Sequence, residues 1–428
     1  MNRRIFIKNS LLTGLAIGSG NISAFSFNPG SGIEIKQITN GDKQHWFGYY
    51  DKLQVDPTGR YALGMEVNMI FRSPKADDMI KIGIIDLKNG FKWKEIGTSK
   101  AWGWQQGCML QWIPGSDREV IWNDRHNDGF VSKIVDIYTG KERVLQKAIY
   151  ALSSNGDYAI GTEFNRIQNM RPGYGYAGIP DPYEKQKTPT EIGIYKLDLK
   201  TGKSKLLISI EQAAKILHQG ENLMNYWHYF NHLLVSPAGE RFVFLHRWRK
   251  EMGEYSSRAT GGFVTRMITA DKDGKDLFII DPSGQTSHFV WRDPNHICAW
   301  TRPIGEKPAF YLFKDKTDLV EIVGEESMSE NGHITYVPNT NNEWVLNDTY
   351  PYRHPEHKQT LYLYHIPTKR KVILGEFYEP EQFEGEWRCD LHPRCDQQGK
   401  RVFFDSTHNG RKRQIYMIDI QDIVKDSL

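Results

Sequence analysis

Gln54-Val-Asp-Pro-Thr-Gly-Arg-Tyr-Ala-Leu-Gly-Met65 holds the pattern on which the fold turns: a short apolar run, a turn of Asp, Pro and Gly, and a second apolar run. Asp and Pro suit the first positions of a tight turn and Gly its left-handed one, so the two runs read as a hairpin. The same unit returns at Pro114-Gly-Ser-Asp117, Ser154-Asn-Gly156, Pro237-Ala-Gly239, Asp293-Pro-Asn295, Asn339-Thr-Asn-Asn342 and Asp396-Gln-Gln-Gly399. A third strand follows each hairpin, over 84–90, 134–140, 195–202, 268–274, 312–318, 364–371 and 417–423, often ending in Asp-x-x-x-Gly. Seven units of roughly 55 residues predict an all-β chain, a seven-bladed β-propeller with four strands per blade and room for long loops.

The two ends of the chain complement each other. The seventh unit stops after its third strand, while Ile33-Glu-Ile-Lys-Gln-Ile38 alternates cleanly and has no blade of its own. Donated to the last blade, it would fill the vacancy and cover an exposed edge. Residues 33–424 then form a single propeller domain.

Ahead of it, Asn2-Arg3-Arg4-Ile5-Phe6-Ile7-Lys8 precedes an apolar stretch over 10–17 and small residues over 19–26. Residues 1–25 read as a twin-arginine-like export signal, which predicts a periplasmic or secreted protein. The apolar stretch, interrupted by Gly14 and Gly18, is too short for stable membrane insertion. A formal net charge of +3 leaves no nucleic-acid footprint. Four cysteines in 428 residues make no disulfide framework. Cys389 and Cys395 read first as buried free thiols, with a pair or a metal site as alternatives.

Strand order sorts the loops. All hairpin turns between first and second strands fall on one rim, and they are short and bland. The opposite rim collects the connections into each blade and those between second and third strands. It holds His45 to Asp51, Trp104-Gln-Gln-Gly107, Asn123, Tyr150, Arg166, Tyr176, His228, His232, Arg247, His333, Arg388, His392 and His408. Its longest departure, between Gly156 and Gly239, carries 166–189, rich in Pro, Gly and Tyr, and 211–225, helix-like in composition.

Arginine binds carboxylate through a two-pronged fork, and Tyr and His exchange protons near neutrality. Nucleophile elbows, phosphate loops and dinucleotide fingerprints are absent, and paired carboxylates for glycoside hydrolysis are scarce. Such a set suits β-elimination on a uronic acid: cations neutralise the sugar carboxylate and acidify the adjacent C–H. Arg247 reads as a carboxylate binder or a structural ion pair. Tyr176 either stacks on a sugar or packs its loop.

These residues resemble the seven-bladed propeller polysaccharide lyases, a group of oligogalacturonate, ulvan and rhamnose–glucuronate lyases. The resemblance spans nearly all of the mature chain. It rests on His45-x-Phe-Gly-Tyr-Tyr-Asp51, Trp104-Gln-Gln-Gly107, Trp122-Asn-Asp124, Arg171-Pro-Gly-Tyr-Gly-Tyr176, Asn231-His-Leu233 with His246-Arg-Trp248, and Asp390-Leu-His-Pro393 with Asp405-Ser-x-His408.

The resemblance implies a catalytic set of Tyr150, Arg166 and His228 or His232. It places Arg247, Gln105, Gln106, Asn123, Trp104, Tyr176, His45 and Arg388 around an acidic oligosaccharide or polysaccharide. In ulvan lyases two further histidines match Gln105 or Gln106 and Asn123, which cannot act as bases. That departure points away from ulvan, towards a rhamnose–glucuronate or other uronic-acid linkage. Members of the group can carry a divalent metal on histidines, which here implies one ion on His333, His392 and His408, unless the three act independently. The alternative function is a non-catalytic propeller that binds acidic glycans or scaffolds exported proteins.

Overall fold

Seven antiparallel sheets follow one another along the chain of the computed structural model, each with its first strand innermost. The structure describes residues 5–6, 32–251, 262–410 and 412–425. The innermost strands are Gln44–Trp46, Gln111–Trp112, Ala151–Leu152, Trp227–Val235, Phe289–Asp293, Thr335–Tyr336 and Arg394–Cys395. The fold is a seven-bladed β-propeller. The seventh sheet takes its outer strand from Ile35–Gln37, antiparallel to Gln414–Asp419 with Lys36 opposite Met417. Apart from Ile5–Phe6, which runs parallel to Leu319–Val323, the expected export signal over 1–25 lies outside the described residues.

The hairpin turns form for the reasons their residues suggest. Asp56 accepts hydrogen bonds from the backbone N–H groups of Thr58, Arg60 and Tyr61, and Gly59 closes the turn at φ +67°. The Asp-x-x-x-Gly segments, however, are strand ends plus turns. The third strand of blade one is Ile80–Asp86, and Asp136 in blade two caps its turn through the N–H groups of Tyr138 and Thr139. Third strands therefore begin several residues before the sequence suggests.

Indole N–H groups tie neighbouring blades together: Trp112 to the Gln54 carbonyl, Trp122 to Thr98 and Trp291 to Leu234. All four cysteines are free. No described helix is long and apolar enough to cross a membrane.

Three irregularities shape the channel end. Within blade one, Trp46 pairs with Met65 and Val55 with Ala62, so residues 47–53 are extruded from the innermost strand. In blades four and seven, His232 and His392 sit at φ +52° and +43°, a left-handed backbone that costs a non-glycine residue about 1 kcal/mol or more. His232 lies at a register shift between Asn231 and Leu234, a bulge that re-aims the side chain. The expected loop after blade three's second strand contains a helix, Phe164–Met170, while the helix-like 211–225 is helical only over Ile210–Ala214. The capping box of Ser209 and Gln212 starts that short helix.

Candidate functional site

The extruded finger fills the channel. Tyr49 reaches the rings of His232, His333 and His392, at centroid distances of 5.0, 6.1 and 5.1 Å, on blades four, six and seven. The Tyr50 hydroxyl donates to the Phe289 carbonyl at 3.0 Å and contacts His232 Nε2 at 3.2 Å. Above the finger, on the rim of long loops, opens a cleft of about 370 Å³. Arg171, Arg247 and Arg388 line it, with Tyr49, Tyr174, Tyr350, Tyr352, His288 and Asn331.

Each wall is held. Arg171 stacks on the Tyr174 ring at 3.8 Å, and Arg388 donates to the Tyr174 hydroxyl at 2.7 Å. Arg388 also clasps Asp390 through Nε and Nη2, at 3.1 and 2.9 Å. Arg247 Nε is buried and has no hydrogen-bond partner among the described residues. Opposite, His288 Nδ1 meets Asn331 Oδ1 at 3.1 Å, which directs Nε2 towards the Tyr350 hydroxyl at 3.3 Å. Burial, more than neighbouring cations, holds His288 well below the ordinary histidine range, so its ring is neutral. Burial likewise raises the Tyr49 and Tyr350 phenols, which keep their protons.

Beside the cleft, ligand atoms of His333, Asp390 and His392 lie within 4.8 Å of one another. Asp348 accepts the His333 Nδ1–H at 2.9 Å, fixing the tautomer and leaving Nε2 as the ligand atom. His392 Nε2 is buried without a hydrogen-bond partner. Two imidazoles and a carboxylate, with one orphaned nitrogen, fit a divalent cation. His408 is elsewhere: its ring lies against Phe377 and Tyr416 and its Nδ1 bonds Ser406. The expected three-histidine set is therefore replaced by His333, His392 and Asp390.

The other expected residues divide. Arg247 and Arg388 line the cleft. Tyr150, Gln106 and His232 meet one another beneath Tyr49: the Tyr150 hydroxyl donates to Gln106 Oε1 at 2.9 Å and accepts the His232 backbone N–H at 2.7 Å. All three are buried and none lines the cleft. Lys52 and Asp51, 2.9 Å apart, sit in the same layer.

Arg166 is a correction. Its Nε donates to the His228 carbonyl, Nη1 to Asp181 and the Tyr183 carbonyl, and Nη2 to the Gln186 and Lys187 carbonyls. All five N–H groups are spent, four on pinning the 181–187 loop and one on the His228 carbonyl, and none is left for substrate. His228 is another: its Nδ1 meets His246 Nε2 at 2.9 Å and its Nε2 donates to the Leu223 carbonyl.

Asn123 holds both the N–H and the carbonyl of Ile149, and bonds the Tyr176 hydroxyl. Tyr176 is stacked on Phe164 at 4.2 Å and packs its loop. Gln105 is tied to the carbonyls of Glu386 and Arg388, Trp104 packs between Trp46 and Trp102, and His45 pairs with Glu66. These seven corrections share one cause: each side chain is buried and held within the protein, although His45 Nδ1 and Gln105 Oε1 have no hydrogen-bond partner among the described residues.

His288, Tyr350 and Asn331 were missed as cleft residues. His288 could have been found, because it immediately precedes the innermost strand of blade five, as His333 precedes that of blade six.

No protein-family model matches the chain, and no curated protein sequence does. Among solved structures, an oligogalacturonate lyase from Vibrio parahaemolyticus superposes with a TM-score of 0.63 at 15% identity, covering 94% of this chain and 97% of its own. A second oligogalacturonate lyase, in complex with manganese, gives 0.63 at 14% identity with the same coverage. At these identities the likeness is one of fold.

Proposed function

We propose that the protein is a lyase that cleaves a uronic-acid-containing oligosaccharide by β-elimination. The observation that carries this reading is the cleft itself: three arginines, a neutral histidine and protonated tyrosines converge on one space, next to a cluster fit for a divalent cation. The superposed oligogalacturonate lyases, one with manganese, support it.

Arg247, with Arg171 and Arg388 behind it, neutralises the sugar carboxylate and so acidifies the neighbouring C–H. His288 Nε2 takes that proton. The C–O bond on the next carbon breaks, a C=C bond forms, and Tyr350 gives its hydroxyl proton to the leaving oxygen. The 3.3 Å contact between His288 and Tyr350 lets the abstracted proton replace the one donated. His333, His392 and Asp390 would hold a divalent cation, which would supply Lewis acidity to the site.

The expected rhamnose–glucuronate linkage rested on Gln105, Gln106 and Asn123, which lie outside the cleft, so a substrate panel decides the linkage. Export to the periplasm or beyond remains our proposal from the twin-arginine-like start.

The test is incubation with rhamnoglucuronan, ulvan and pectic oligosaccharides, followed by the ultraviolet absorbance of an unsaturated uronate. Turnover is expected on at least one. Arg247→Ala and His288→Ala should each lower kcat/KM by about a hundredfold with melting unchanged. Glycan binding without new absorbance would instead establish the non-catalytic alternative.

A further inference from the structure

The finger that fills the channel has a purpose beyond filling it. Tyr50 comes from blade one, yet its hydroxyl holds both polar groups of Phe289 on blade five, donating to the carbonyl at 3.0 Å and accepting the N–H at 3.2 Å. An innermost strand offers backbone groups to the channel that no neighbouring strand can pair, and a phenol is one of few groups that can serve as donor and acceptor together. Its single proton goes to Phe289, so the contact with His232 at 3.2 Å has His232 Nε2–H as donor. Tyr50 is 2% exposed, and its ring also packs against His333 at 5.2 Å. Three restraints therefore fix where the hydroxyl lies.

The N–H of Phe289 belongs to the peptide that joins it to His288. We propose that Tyr50 is a positioning residue: by gripping the His288–Phe289 peptide from across the channel, it aims the His288 ring into the cleft. The other anchors of His288 are the Trp300 N–H, which donates to its carbonyl at 2.8 Å on the opposite edge of the same peptide, and the side-chain contacts with Asn331, Ser287 and Tyr350. Without the Tyr50 hydroxyl the peptide is held on its Trp300 edge alone, the buried N–H of Phe289 is orphaned, and the ring's angle to the bound sugar loosens. A misplacement of about 1 Å at a reacting group costs up to a hundredfold in rate. The finger leaves blade one's strand at Trp46 and returns to its ladder at Gln54 and Val55, and the span between is what lets Tyr50 reach blade five.

This inference rests on the lyase reading, and the experiment separates the two. Tyr50→Phe removes one oxygen and keeps the ring packed. Expected are a fall in kcat of about tenfold, KM within about twofold of the wild type, and accelerated hydrogen exchange at the Phe289 amide. A variant with wild-type kcat overturns the proposal. So does a loss of kcat that tracks a lowered melting temperature and is fully recovered at reduced temperature, because that marks a purely structural role. If the wild-type protein turns over no acidic glycan, the lyase reading fails on its own. The exchange measurement still reports on the grip, and unchanged Phe289 protection overturns it.

Discussion

Arg166 and Arg247 arise from neighbouring blades at matching places on the same rim, yet they belong to different worlds. Arg166 is 2% exposed, and every N–H it owns is committed to Asp181 or to backbone carbonyls. Arg247 faces a cleft with its Nε unpartnered. The same contrast separates Tyr176, stacked and bonded below the rim, from Tyr350, which touches two histidines in the cleft. Residue type announces capacity for chemistry; spare hydrogen-bonding valence announces availability.

The sharpest way to break the contrast is Arg166→Ala. It strands Asp181 and several buried carbonyls, so a loss of about 3–5 kcal/mol in unfolding free energy is expected, read by denaturant titration. A variant that stays fully stable but loses turnover would return Arg166 to the chemistry and erase the distinction from Arg247.

Acid comes next. Burial holds His228 down to about 4 and His246 well below the ordinary value near 6.5. The folded protein keeps both neutral while the unfolded chain binds protons, so their contribution to stability is full above pH 6.5. It falls as pH drops towards 4, by about 3 kcal/mol for His228 alone. Melting temperature measured across that window should decline steadily, and a flat profile would mean that the pair is already open to water.

The smallest effect sharpens the lower layer. Tyr176→Phe removes one hydrogen bond, to Asn123, at a cost of about 1 kcal/mol, and should leave KM unchanged for every glycan. A raised KM would place Tyr176 in contact with sugar after all.

Much of the fold was legible because the Asp/Pro/Gly turns recur and because the spare strand over 33–38 matches a vacancy. The rim was legible too, since strand order alone fixes which loops share an end of the channel: Arg247, Arg388, His333 and His392 were found this way. Depth was not legible. Linear sequence tells which rim a residue occupies and not how far it stands from the axis. That distance decided against Arg166, His228, Asn123, Tyr176, Gln105, Trp104 and His45. Nor does a repeat pattern show where a strand will bulge. Residues 47–53 read as an approach to blade one and are instead an excursion across the channel. His408 failed for a related reason: it lies two residues past a strand end, over Phe377 and Tyr416.

With Tyr49 and Tyr50 wedged among the histidines of blades four to seven, the axis of the ring is no thoroughfare. Whatever enters the mouth must back out the same way. Under the proposed lyase reading a long polymer would not be threaded and cut in passing; each event would end in release, with the traffic of the vestibule governed by a single doorway.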